Sequence, residues 1–253
     1  MNFIFKTKCL SRPPLGEACP RQAGNVVFIV LIAIILFVSL SAAVKQAMES
    51  GGGAPSAETN TINSTSFIQY ASDIKSAINS LKLLNGCSDE DISFTSPFWT
   101  HTDYDHSPVS NSACRVFSSS GGGIDWQVVD ARVTEEQWEF IGDTRVHGIG
   151  TTDTGDSGES NDLIIALPGL TETMCKNVNK RLGLNFGGVV PENAGDIIDT
   201  TSRRFNGSYS ADDDIVGSSG GPCPDDLCYT KSACFKEAGG SENYIFYNVL
   251  IAR

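Results

Sequence analysis

The first dense run of apolar residues in the chain is continuous. Residues 26–44 read VVFIVLIAIILFVSLSAAV, 19 residues without a charge, in which Ser39 and Ser41 are the only polar members. At a rise of about 1.5 Å per residue, a helix of this length crosses a hydrocarbon core of about 30 Å. The run therefore predicts a membrane-spanning helix.

A second apolar pattern has the spacing of an amphipathic helix over residues 66–84. It follows the capping-prone residues 63–66 and stops before Gly86. Because a single apolar stripe normally faces a core, we expect this helix to pack on a sheet; the alternative is a partner surface along a filament. The stripe consists of Phe67, Tyr70, Ala71, Ile74, Ala77, Ile78, Leu81 and Leu84.

Beyond Cys87 the pattern changes to short β-prone pieces separated by Gly, Ser, Asp and Pro, which predicts an antiparallel sheet. The last piece is apolar on both alternating faces, with Ile251 on the face of Val249, so we expect a central strand and a buried C-terminus. A four-residue repeat from Leu170 to Leu182 predicts a second helix ending near Gly183. The expected fold class is α+β. The β-prone pieces are residues 115–117, 124–129, 137–141, 162–167 and 243–252.

Composition divides the chain into four segments. A basic leader (1–24) precedes the hydrophobic helix (25–50), a Gly-rich flexible linker (51–64) follows it, and an extracytoplasmic head (65–253) completes the chain. The leader has four Lys and Arg against one Glu, whereas residues 46–253 have 13 Lys and Arg against 29 Asp and Glu. This asymmetry predicts a cytoplasmic N-terminus, with the head in the periplasm or at the cell surface. So acidic a head excludes nucleic acid as a partner class.

A cleaved secretory signal is an alternative interpretation of the same N-terminus, with residues 41–43 as small residues for a signal peptidase. The 24-residue leader and the length of the apolar run favour a retained helix instead.

Residues 21–51, RQAGNVVFIVLIAIILFVSLSAAVKQAMESG, resemble the N-terminus of type IV pilins and type II secretion pseudopilins. In that family a short basic leader ends in Gly and the hydrophobic helix follows at once. The resemblance implies cleavage between Gly24 and Asn25 by a prepilin-type peptidase. It also implies an inner-membrane helix that later packs against other pilin-like subunits, through a face that includes Val26, Phe28, Leu31, Ile35 and Val38.

Two positions depart from the family pattern. The family usually has Phe or Met as the first mature residue and Glu as the fifth, whereas this chain has Asn25 and Ile29. Some minor tip pseudopilins also lack that Glu, so the departure is compatible with an initiating or capping subunit, as well as with a pilin-like protein that forms no filament. The opening residues, the Cys-rich head and the terminal YIFYNVLIAR further resemble uncharacterised pilin-like proteins of Gram-negative bacteria. No catalytic activity is implied.

Six of the eight cysteines follow the hydrophobic run, and an even number in an oxidising compartment predicts three disulfides. We expect Cys87 to pair with Cys114, because this bridge would tie the end of the first helix to the first β-prone piece. The other two bridges are expected among Cys175, Cys223, Cys228 and Cys234, and six cysteines allow 15 pairings in all. A zinc site is the weaker alternative, since the spacing C-x4-C-x5-C has no nearby His.

The loop 153–162 is a candidate calcium site. It is rich in oxygen ligands on a Gly-rich backbone, a combination that suits calcium, although its spacing is not that of an EF-hand. The alternative for this loop is a solvated acidic turn. Its candidate ligands are Asp153, Asp156, Glu159 and Asp162.

Residues 101–106, HTDYDH, resemble the H-x-H-x-D-H motif of metallo-β-lactamase-type hydrolases, with Asp103 in place of the second His. This loop supports an alternative function, a secreted or membrane-anchored ligand- or metal-binding module or hydrolase. The alternative for this loop is a polar surface loop that binds no metal or ligand. No nucleophile elbow, phosphate-binding loop or dinucleotide fingerprint is present in the sequence.

Overall fold

The structure is a computed structural model that describes residues 28–38, 57–96, 104, 112–150, 161–193, 204–209, 215–217, 226–238 and 242–253. Backbone contacts divide the chain into two units, Met1–Ala54 and Pro55–Arg253. Within the first unit, residues 28–38 form helix α1.

The described residues of the second unit form two α-helices and a mixed sheet. Helix α2 spans Ala57–Leu84 and helix α3 spans Glu172–Arg181, with a short 3-10 helix at Ser112–Cys114. The strands are β1 (Glu139–Val146), β2 (Asp162–Leu170), β3 (Ile215–Val216), β4 (Ser232–Lys236) and β5 (Tyr244–Ile251).

The sheet has the strand order β3-β1-β2-β5-β4. Its four longer strands pair antiparallel, and the two-residue β3 pairs parallel with β1. The predicted α+β class with an antiparallel sheet is therefore confirmed. The expectation that the last strand is central is also confirmed, since β5 lies between β2 and β4.

Helix α2 packs its apolar stripe into the core, as predicted. Phe67, Ile74 and Ile78 are buried in the cluster that joins α2 and α3 to one face of the sheet. Leu84 is the exception, at 82% exposed. The prediction that this stripe packs in the core, rather than forming a partner surface along a filament, is thus confirmed.

The start of α2 and part of the linker were predicted wrongly. The helix begins at Ala57 rather than Ser66, so residues 57–64, expected as flexible linker, are helical. Asn60 and Ser64 are buried in this early part. Their burial depends on the tertiary fold, and a run of capping-prone residues gives no local signal of it.

Two of the five β-prone pieces form no strand. Residues 115–117 contribute only an isolated bridge from Arg115 to Ser93, and residues 124–129 are irregular. Residues 124–129 lie beside α2, where the Tyr70 hydroxyl accepts from the backbone N–H of Gln127 at 3.2 Å. Side-chain packing against the helix replaces sheet pairing there.

A β-bulge interrupts the alternation of faces that was expected along β5. Leu163 of β2 is opposite Ile251, while Ile164 is opposite Val249, so Leu250 is an extra residue in β5. As a result Leu250 and Ile251 both pack on the helical side of the sheet, and Ile251 does not share the face of Val249.

Helix α3 ends close to the predicted position through a Schellman motif. The N–H of Gly183 donates to Lys180 O at 3.2 Å, and the N–H of Leu184 donates to Asn179 O at 2.9 Å. Gly183 has a φ of +77°, the left-handed conformation that this motif requires and that glycine adopts without strain.

The outer edge of β4 is occupied by groups of the same chain. The side-chain amide of Asn179 donates to Cys234 O and accepts from Cys234 N, both at 2.7 Å. Two residues further along, Lys236 N donates to Pro191 O at 2.8 Å and Lys236 O accepts from Asn193 N at 2.9 Å. The backbone groups of this edge strand are thereby satisfied on alternate residues.

Candidate functional site

Helix α1 is apolar on all sides, and its large side chains are exposed. Phe28, Leu31, Ile35 and Val38 of the predicted assembly face are 62%, 53%, 64% and 60% exposed. The side chains between them are exposed too, up to 71% at Phe37. A helix of this kind is stabilised only where its surroundings are also apolar. Across the part of the chain that the structure describes, no helix combines the length and the hydropathy needed to span a membrane.

The processing residues Gly24 and Asn25, and Val26 at the start of the predicted assembly face, lie outside the described residues. So do Gly51–Gly53 of the linker.

Of the four candidate calcium ligands, Asp162 alone lies within the described residues. It is fully buried at the start of β2, and both carboxylate oxygens accept backbone N–H groups, from Val146 at 2.9 Å and from Arg253 at 3.0 Å. Burial raises the pKa of Asp162 to about 6, while these two hydrogen bonds act in the opposite direction. Asp162 thus holds two chain segments together, and Asp153, Asp156 and Glu159 lie outside the described residues.

The histidine loop also lies outside the described residues, since His101 and His106 are not among them. The third histidine, His147, is half-buried and has its ring edge-on to Tyr229, with 6.3 Å between ring centroids. Within the described ranges, no three His, Cys, Asp or Glu side chains are grouped as metal ligands would be.

The cysteines pair as expected where both partners are described. Cys87 is bonded to Cys114 and Cys175 to Cys234. Cys228 is disulfide-bonded as well, and its partner lies outside the described residues.

A buried ion pair that no sequence motif predicts lies at the start of β1. Arg204 donates from Nε to Glu139 Oε2 at 2.7 Å and from its terminal nitrogen to Oε1 at 2.9 Å, with both side chains at most 10% exposed. The Tyr104 hydroxyl donates to Glu139 Oε2 at 2.8 Å and accepts from Phe140 N at 3.2 Å. Burial and the Glu139 charge together hold the pKa of Tyr104 well above its ordinary value. Both oxygens of Glu139 are taken, so we assign this cluster to stability rather than to acid–base chemistry.

An open cavity of about 480 Å³ lies beside the C-terminal half of α3 and the loop that follows it. Its volume is within the range of about 300–1,000 Å³ typical of small-molecule sites. The polar lining includes Lys176, Asn177, Lys180 and Asn185, and Phe186 contributes an aromatic ring. The helical repeat predicted α3, but nothing in the sequence pattern marked the loop as one wall of a cavity.

Comparisons with known proteins give no relative for this chain. No family model, no curated protein and no solved structure matches it.

Proposed function

We propose that this chain is a pilin-like structural subunit, a pseudopilin-like or minor component of a type IV pilus or type II secretion filament. Residues 25–50 would anchor it in the inner membrane before assembly, after a prepilin-type peptidase cuts between Gly24 and Asn25. The head would lie in the periplasm or at the cell surface, and its partners would be other pilin-like subunits.

The observation that supports this proposal most directly is the exposed apolar surface of α1. Removal of apolar area from water stabilises by about 25 cal/mol per Å². A helix with Phe28, Leu31 and Ile35 on different sides gains this free energy only inside a bilayer or among other apolar helices. The proposed role uses both environments in turn.

The head fits a structural role in a secreted compartment. The apolar stripe of α2 is buried in the core of the head and is therefore not available for a filament contact. Disulfides at Cys87–Cys114 and Cys175–Cys234 are typical of proteins that fold in an oxidising compartment.

The experiment that tests the proposal is the intact mass and N-terminal sequence of the protein isolated from its host membranes. We expect a mature chain that begins at Asn25 and retains α1. A start near Val44 would mean a free secreted head, and a retained Met1 would mean an uncleaved anchor. Either of these results would contradict the proposal.

A pair of glycine variants sharpens this test. Gly24→Val should block cleavage and leave the unfolding transition of the head unchanged, because the substitution lies in the leader. Gly16→Val places the same side chain within the leader but away from the expected cut and should be processed normally. An unchanged mature product from Gly24→Val would refute processing at this site.

A further inference from the structure

We propose that the cavity beside α3 binds an acidic oligosaccharide, a short glycan with carboxylates on its sugar rings. This proposal concerns the head alone and does not depend on the filament role.

The charge of the lining favours an anion. Among the described residues that line this cavity none is an Asp or Glu, whereas Lys176 and Lys180 are both part of the lining. Lys176 is 2.8 Å from Glu172 on the same helix. Lys180 makes no ion pair within the described residues, so its positive charge is available to a ligand.

The end of α3 does not oppose an anion as strongly as an uncapped helix end would. The negative end of a helix dipole resides on its last carbonyl groups. Here the carbonyls of Asn179 and Lys180 already accept the N–H groups of Leu184 and Gly183. Two of these carbonyls are thus satisfied inside the motif.

The remaining polar groups suit sugar hydroxyls. Each amide side chain has a donor and an acceptor, and a hydroxyl can use either. Asn177 makes no side-chain hydrogen bond within the described residues, and Asn185 keeps its NH2 group available because its Oδ1 accepts from Gly187 N at 3.2 Å. The half-exposed ring of Phe186 supplies an apolar surface for the C–H face of a sugar ring.

The overall charge argues against a nucleic acid as the anion. A net charge of −12 repels a closely charged phosphate backbone over its whole length. A short glycan places only one or two carboxylates at the cavity, where the lysines are. The inference is therefore a glycan with carboxylates and not a phosphate polymer.

Calorimetric titration of the full-length chain in a non-ionic detergent tests this inference. The probes are short oligomers of galacturonate and of mannuronate, with the methyl-esterified galacturonate oligomer as the neutral control. We expect saturable binding of at least one acidic probe, and binding of the neutral oligomer to be weaker by about tenfold or more.

Two matched lysine variants separate the cavity from general electrostatics. Lys180→Gln should weaken binding of the acidic probe about tenfold, because it removes the uncompensated cation. Lys231→Gln makes the same change at an exposed lysine outside the cavity lining and should leave binding unchanged. The inference is overturned if neither acidic probe binds, if the neutral oligomer binds equally well, or if the two variants behave alike.

Discussion

The carboxylate of Asp162 accepts the backbone N–H of Arg253 at 3.0 Å, across 91 residues of sequence. The guanidinium carbon of Arg253 lies 3.8 Å from the ring centroid of Tyr209, so the last residue is held at both its backbone and its side chain. Because Asp162 also accepts Val146 N, one buried carboxylate joins β1, β2 and the C-terminus.

The stability of the head should depend on pH through Asp162. Burial raises its pKa from 3.8 to about 6, so the folded state holds this proton more tightly than the unfolded chain does. Its stabilising contribution is therefore complete below the lower pKa and is lost as the pH rises through the higher one. We expect the free energy of unfolding to fall by about 2–3 kcal/mol across this window from this group alone.

Urea unfolding of the native chain and of Asp162→Asn at a series of pH values measures this contribution. The variant lacks the titrating group, and all other titrating groups are common to both proteins. The free energy of unfolding of the native chain, relative to that of the variant, should fall by the stated amount as the pH rises through this window. Parallel pH profiles would show that Asp162 does not titrate differently on folding.

Gly150→Ala should displace the C-terminal residue. Gly150 has a φ of +71°, and a Cβ placed there would clash with the carbonyl oxygen of Arg253. Gly123→Ala is the matched control, since Gly123 has a φ of +65° with no atom within 4 Å of the added Cβ. The control should cost about 1–2 kcal/mol for the left-handed backbone alone. Gly150→Ala should cost more, and equal losses in urea unfolding would argue against close packing of Arg253.

Loss of the buried Arg204 guanidinium should destabilise the head strongly. In Arg204→Met, the Glu139 carboxylate remains buried and loses both hydrogen bonds from Arg204. We expect a loss of about 3–5 kcal/mol in the free energy of unfolding. Arg132→Met is the control, because the Arg132–Asp130 pair is exposed to solvent and its removal should have no measurable effect. A loss for Arg204→Met no larger than that of the control would mean that the cluster does not stabilise the fold.

Asn179→Leu should destabilise the junction between α3 and β4. Asn179 is 3% exposed and is bonded to both backbone groups of Cys234, which the leucine would leave unsatisfied. The expected loss is about 2–5 kcal/mol, from two buried polar groups. Asn177→Leu, on the same helix but without a side-chain hydrogen bond in the described residues, should change stability by about 0.5 kcal/mol or less. Thermal or urea unfolding distinguishes the two, and similar small effects for both would contradict the structural role of Asn179.

Three of the elements predicted from the sequence have a long local period. The α2 stripe, the four-residue repeat of α3 and the two apolar faces of β5 each extend over eight or more residues. Strand β3 has only two residues, which is too short for alternation to be recognised, and the five-residue β4 is not among the predicted β-prone pieces. The bulge at Leu250 could not be predicted either, because it depends on how β5 pairs with β2 rather than on the residues of β5 themselves.

Candidate sites were harder to predict than elements, because their members are distant in sequence. Glu139 is 35 residues from Tyr104 and 65 from Arg204, so no local motif could join them. The acidic loop 153–162 predicts Asp162 as an oxygen ligand for calcium, whereas in the structure its carboxylate accepts backbone N–H groups of β1 and of Arg253. The Cys87–Cys114 bridge was predicted correctly, since it joins the end of a predicted helix to nearby sequence.

The occupied edge of β4 limits how copies of this protein can join. A second head cannot extend the sheet along Cys234 and Lys236, because Asn179 and residues 191–193 already use the backbone groups that an incoming strand would need. Association through a strand added to β4 would require these internal bonds to break first. Copies of this chain that kept these bonds would therefore have to meet through surfaces other than the β4 edge.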